Sequence, residues 1–249
     1  MSVGSSLLIV ATPGVGLSAQ NPCGTFGHYF DGAAYNTTLS PRFTGSDAVL
    51  KVRDPALCGS TGTSQNFTSG WTMLASRDGL GYVQTGFVKS AAAPLQHVGQ
   101  FYDDPAVPVT KYGFDYGQGP LANGQFNRYW NNFNPSTGRQ NLNIDGTQWM
   151  TTNFNPNGSW LPQPFQPQFF GEVTYKESDM PGTSTSPTTF TSMQGQTAPN
   201  YAIVPFGCDS FTGTFSSANP SLGGYNNNNP VRWGQSRPSC TSFNIWTSQ

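Results

Sequence analysis

The chain is 249 residues long, 35% hydrophobic and 14% aromatic, so it can bury a sizeable core. Charged residues make up only 9%, against about 25% in ordinary soluble proteins, and the net charge is −1. No basic stripe is available to neutralise phosphates, which argues against nucleic-acid partners. The high aromatic content argues against disorder. With 29 Gly and 20 Pro the composition disfavours helices.

From the N-terminus, Leu7–Ala11 is a short apolar run followed by the small residues Gly16–Ala19. Residues 1–20 are therefore expected to be a signal-peptide remnant or an N-terminal strand (Ser6–Ala11), with residues 21–249 forming one domain. No stretch approaches the ~20 apolar residues that a membrane-spanning helix needs. The four cysteines, at 23, 58, 208 and 240, form an even, widely spaced set that suits a secreted protein. Cys23–Cys58 and Cys208–Cys240 are the favoured disulfides because they close the shorter loops. Asn36, Asn66 and Asn157 each begin a glycosylation sequon.

The periodicity is that of strands. Asp47–Arg53 alternates, and Val49–Val52 is expected within a strand. Trp71–Ser76 and Tyr82–Lys89 flank a Gly-containing hairpin loop, and Asp145-Gly146 marks a second hairpin within Asn141–Thr152. Phe169–Tyr175, Tyr201–Phe206 and Phe211–Phe215 are further strands. Pro181–Thr191 and the Asn-rich Ser221–Pro230 read as long surface loops, and Tyr112–Phe133 as a binding loop or as aromatics folded back on a sheet. The fold class is all-β: an antiparallel β-sandwich of two curved sheets with long Gly/Asn/Pro-rich loops.

Few side chains are available for chemistry. The two histidines, His28 and His97, lack a nearby nucleophile elbow and read as packed or surface residues. No HxH, HExxH or CxxC occurs, so neither a metal nor another cofactor is expected. Most aspartates sit in turn sequences such as Asp78-Gly79. Of the two glutamates, Glu172 stands in the apolar strand Phe169-Phe170-Gly171-Glu172-Val173, facing either solvent or a cleft. In a cleft, desolvation would suit it to general acid–base work. In Tyr82-Val83-Gln84-Thr85-Gly86-Phe87, alternation places Tyr82, Gln84 and Gly86 on one face. There Gly86 would leave room for a ligand at the Gln84 amide, or else the amide bonds a neighbouring loop.

Taken together, Trp71, the hairpin, Val83-Gln84-Thr85-Gly86-Phe87 and the later Gly171-Glu172-Val173 resemble the glutamic peptidases. The Gln follows the eqolisin branch, and the Gly-Glu-Val step is similar to neprosin-type domains. The same organisation resembles secreted bacterial proteins of unassigned function. The resemblance covers roughly Phe67–Lys89 and Pro167–Gln194. The eqolisin N-terminal Asn-Trp-Gly-Gly segment has no match. The resemblance implies a secreted endopeptidase working at acidic pH on a polypeptide substrate. Gln84 and Glu172 would be catalytic, and Trp71 and Tyr82 would line the substrate cleft. Glu172 would act as base on a water, and Gln84 would donate to the oxyanion, which requires the two side chains to share one water on adjacent or facing strands. The competing expectation is a non-catalytic sandwich: a lectin-like glycan binder, or a surface or filament subunit that contacts neighbouring subunits.

Overall fold

The computed structural model describes residues 23–39, 41–59, 66–76, 81–91, 99–104, 111–114, 120–152, 154–156, 165–211 and 224–248. Among them there is no α-helix, and a 3-10 turn covers Cys208–Phe211. Two sheets account for the fold, as the period-2 patterning requires.

The first sheet has seven strands: β1 (Phe26–Ala34), β3 (Phe67–Ala75), β4 (Tyr82–Ser90), β5 (Gly99–Asp104), β6 (Lys111–Phe114), β10 (Gln166–Tyr175) and β14 (Gly224–Asn227). Their order is β14-β1-β10-β3-β4-β5-β6. The second sheet contains β2 (Phe43–Lys51), β7 (Phe126–Asn134), β8 (Arg139–Ile144), β9 (Thr147–Thr152), β11 (Gly182–Thr183), β12 (Ser186–Thr197), β13 (Ala202–Pro205), β15 (Trp233–Ser239) and β16 (Ser242–Thr247). It runs β15-β16-β11-β12-β2-β7-β8-β9, with β13 also on β12. Pairing is antiparallel throughout except between β11 and β16.

The core between the sheets includes Leu50, Leu74, Val83, Phe87, Tyr129 and Phe169. Low charge does not make it purely apolar. Ser46, Thr72, Thr85 and Asn131 are all fully buried at its centre. The Thr72 hydroxyl donates to Ser46, and the Asn131 amide donates to Ser46 Oγ and to the Thr72 and Val83 carbonyls. Thr85 donates to Asn131 Oδ1. Hydroxyls and amides thus bridge the two sheets, as burial of polar groups demands.

The expected strands at Trp71–Ala75, Tyr82–Val88 and Phe169–Thr174 are present, while β2 stops one residue short of Val52. Asp145 and Gly146 take positive φ values of 50° and 80°, which fits a two-residue hairpin turn. Both favoured disulfides form, Cys23–Cys58 and Cys208–Cys240.

Several expectations need correction. Pro181–Thr191 is not a surface loop: it contains β11 and the start of β12, with Thr188 and Phe190 fully buried. Its threonines suit a pleated, buried strand. Ser221–Pro230 contains β14, which adds Gly224–Asn227 to the edge of the first sheet against β1. Of Phe211–Phe215, Phe211 ends the 3-10 turn and the rest lies outside the described residues. Tyr129 and Trp130 belong to β7 rather than to a loop, and Tyr129 is fully buried. Asn66 is 3% exposed and donates its amide to the Cys58 carbonyl, so its sequon is occluded in the fold. Residues 1–20, His97, Tyr116 and Asn157 lie outside the described residues.

Candidate functional site

Glu172 stands near the middle of the first sheet, on β10, between β1 and β3. In register it faces Phe30 on one side and Ser69 on the other. Paired residues of an antiparallel sheet project to the same side. The row Phe30–Glu172–Ser69–Val88 therefore shares one face. The next row is Gly32–Phe170–Trp71–Gly86–Phe101. Beyond it lies Ala34–Gln168–Met73–Gln84. This face points away from the second sheet and carries its own apolar cluster around Trp71, Phe101 and Phe170.

Two donors hold the Glu172 carboxylate. Trp71 Nε1 donates to Oε2 at 2.8 Å, and His28 Nδ1 lies 2.5 Å from Oε1. Glu172 is 7% exposed, whereas the His28 side chain is 53% exposed. His28 reaches the site through an irregularity in β1. The β1–β10 register shifts between Phe26 and Tyr29, so Gly27 and His28 together stand against one residue of β10. The imidazole then packs edge-on against Phe26 and Phe67. Trp71 is fixed in turn by Phe30 and Phe170, with ring centroids 6.3 and 5.4 Å away.

The hydrogen bond to Glu172 raises the His28 pKa above 6.5, against the opposing effect of partial burial. Below that raised value the His28 ring carries its proton and donates from Nδ1 to Glu172 Oε1. The arrangement places a carboxylate able to accept a proton beside an exposed ring able to give one.

The expected residues fall into two groups. Trp71 and Glu172 are brought together by a hydrogen bond. Gln84 and Tyr82 lie on the same face but farther along, Gln84 opposite Met73 and Tyr82 opposite Ala75. The expectation that Gln84 and Glu172 share one water on adjacent or facing strands is corrected here. Strand β3 separates β4 from β10, and Gln84 sits four positions along β4 from Val88, which shares the Glu172 row. Two inter-strand steps and four residues amount to roughly 10 Å across the sheet and about 13 Å along it. Nor does Gly86 open space for a ligand: a Cβ there would meet the Gly70 carbonyl oxygen at 2.1 Å and Trp71 Cα at 2.8 Å. Glycine is needed at 86 because β3 packs so closely.

His28 is the residue that sequence reading missed. Period-2 alternation in the sequence pairs His28 with Phe30, but the β1–β10 register shift breaks that alternation at Gly27–His28. Its partner, 144 residues away, becomes visible only through the β1–β10 pairing. Glu177 is half-buried and accepts a hydrogen bond from the Gly24 amide. Among the described residues no group of three or more His, Cys, Asp or Glu is placed to hold a metal ion.

The chain matches no protein-family profile and no curated protein sequence. Its fold is similar to that of SCP-B, a member of the eqolisin family of peptidases solved with the tripeptide Ala-Ile-His. The two share 13% identity at a TM-score of 0.52, over 89% of this chain and 98% of that one. A family 16 glycoside hydrolase, an endo-glucanase from Bacteroides ovatus, is a more distant match: TM-score 0.37 and 12% identity over 61% of this chain and 71% of that one. The first likeness establishes a glutamic-peptidase-like fold. The two disulfides are consistent with a secreted protein, and no helix among the described residues is long and apolar enough to cross a membrane.

Proposed function

We propose that the chain is a secreted endopeptidase-like hydrolase of peptide bonds in which Glu172 is the general base. The observation that carries this reading is the Glu172 carboxylate, almost fully buried and gripped by Trp71 Nε1 and His28 Nδ1 on one face of the sheet. An oriented carboxylate in a desolvated setting suits proton abstraction from a water that attacks a carbonyl carbon. The eqolisin-like fold supports a peptide as the ligand class, and SCP-B was solved with one bound.

Gln84 has a different place in this proposal from the one its motif implies. An extended peptide advances ~3.3 Å per residue, so the separation of Gln84 from Glu172 corresponds to about five residues. Gln84 and Tyr82 would therefore contact substrate backbone away from the scissile bond, and Trp71 would border the reacting carbonyl. Digestion of casein or another denatured protein from pH 2 to 7 tests the proposal. Wild type should cleave on the acidic side, and Glu172→Gln should abolish cleavage while melting at the wild-type temperature. Equal digestion by both proteins would sink the assignment of Glu172.

The separation of Gln84 from Glu172 favours a second reading, a non-catalytic sandwich that binds an extended peptide or glycan, because the Gln84 amide does not stand beside the Glu172 carboxylate to donate to an oxyanion formed there. The same assay decides between them. Wild type that binds denatured protein or oligosaccharide yet cleaves nothing at any pH is a binding protein.

A further inference from the structure

Hydrolysis at a carboxylate this enclosed needs a route for protons to solvent and to the leaving nitrogen. His28 is the exposed neighbour, bonded to Glu172 through Nδ1, and among the described residues its Nε2 has no hydrogen-bond partner. Elsewhere on the flanking strands the charged groups are engaged or face away. Lys89 of β4 pairs with Asp54, Lys176 at the end of β10 stands over the Tyr29 ring, and Asp31 of β1 points into the core. Asp103 and Tyr82 stand farther along the same face, in and beyond the Gln84 row, so His28 and Glu172 form the hydrogen-bonded titratable pair at this point of it.

We propose that His28 is the general acid of the site, donating the Nε2 proton to the leaving amine; this rests on the peptidase reading of Glu172. Glu172 takes one proton from water as the water oxygen bonds to the carbonyl carbon, leaving a tetrahedral oxyanion and a neutral carboxyl group. The oxyanion lone pair re-forms the C=O bond, the C–N bond breaks, and its electron pair takes the proton from Nε2. The carboxyl proton then leaves, and the exposed ring regains one proton from solvent, which restores carboxylate and imidazolium. The role needs a group that holds its proton at the working pH and titrates not far above it, and an imidazolium held by a carboxylate does both. The raised pKa keeps His28 charged across the acidic range.

The test is steady-state hydrolysis of a denatured-protein substrate by the full chain, from pH 3 to 9, comparing wild type, His28→Gln and Glu172→Gln. Wild-type kcat/KM should fall on the alkaline side with a pKa above 6.5, matching the ring titration of His28 followed by NMR. His28→Gln keeps a donor toward Glu172 and should lose about two orders of magnitude in kcat, with KM little changed and the alkaline limb gone. His28→Asn serves as a second variant should the first fold poorly. A His28 variant with wild-type kcat and the same alkaline limb overturns the role of His28 and leaves the peptidase reading standing. A wild-type limb that does not follow the NMR titration overturns it too. Absence of hydrolysis by wild type overturns both.

Discussion

Glu172 and Asp31 are carboxyl groups on paired strands, one register step apart: Phe30 faces Glu172, and Asp31 faces Gly171. They project to opposite faces and behave as opposites. Glu172 looks away from the second sheet and is held by Trp71 and His28. Asp31 points into the core, is fully buried, and has no hydrogen-bond partner on either oxygen among the described residues. Burial alone pushes its pKa up to about 8. Both groups are nearly inaccessible, so depth does not separate them. Partners do: a donor-lined carboxylate is available for chemistry, while an unpartnered one keeps its proton and becomes a neutral core group.

The largest expected effect follows from Asp31. Its folded-state pKa is raised above the unfolded value of about 3.9, so unfolding releases a proton between roughly pH 4 and 8. The stability it contributes is fully present below pH ~4 and is lost as pH rises through about 8, at up to about 1.4 kcal/mol per pH unit. Asp31→Asn should remove this component, so the difference between variant and wild type in urea-unfolding free energy should grow steadily from pH 4 to 8 in favour of the variant. Parallel stability curves would mean that Asp31 is ionised in the core after all, and the contrast with Glu172 would collapse.

The next effect probes the residue between them. Gly171 faces Asp31, and a Cβ on it would lie 2.3 Å from Ile245 Cδ1 and 2.4 Å from Met180 Sδ. Gly171→Ala should cost about 1–3 kcal/mol through overpacking, towards the low end because methionine can move. Thermal melting checks it. An unchanged melting temperature would show that the second sheet does not press on β10 at this point, and the apolar enclosure of Asp31 would lose its cause.

On the Glu172 side, Trp71→Phe keeps an aromatic ring for Phe30 and Phe170 to pack against but deletes the Nε1 donor. One hydrogen bond to a charged group contributes about 1.5 kcal/mol, so kcat/KM should fall roughly tenfold while the alkaline limb set by His28 persists. Loss of that limb together with the rate would mean that Trp71, not His28, controls protonation at the site.

The contrast between the two carboxyls also marks where sequence reading succeeds. Local periodicity suffices for β3, β4 and β10, because alternating or continuous apolar residues and Gly-containing turns act over a few positions. The cysteine pairs were accessible for a similar reason, with separations of only 35 and 32 residues. The Thr-rich start of β12 and the Asn-rich β14 were misread because strands are expected to show apolar side chains. In this chain hydroxyls and amides share that work, as Thr72, Thr85 and Asn131 do in the core. Register was the least legible quantity. The motif order places Gln84 and Glu172 on one face, but only the pairing of β4, β3 and β10 reveals the four-residue offset. His28 carries no motif at all, and only the irregular β1–β10 pairing brings it to Glu172. The burial of Asp31 depends likewise on Gly171 and on the second sheet.

The smallest expected effect concerns a third carboxylate, which sharpens the comparison by lacking the features of both others. Half-buried Glu177 lies five residues beyond Glu172, and its Oε2 accepts from the amide of exposed Gly24 at 2.9 Å. It has neither the enclosure of Asp31 nor the paired donors of Glu172. Arg232 bonds the Glu177 backbone carbonyl and the Asp179 carboxylate, so it does not depend on the Glu177 side chain. Glu177→Gln keeps an acceptor for the Gly24 amide and removes only a screened charge. Stability should stay within about 0.5 kcal/mol of wild type, with hydrolysis and its pH profile unchanged. A pronounced loss of activity in this variant, with Glu172→Gln still active, would transfer the base role to Glu177. Chemistry would then belong to a half-buried carboxylate without paired donors, and the donors around Glu172 would serve packing alone.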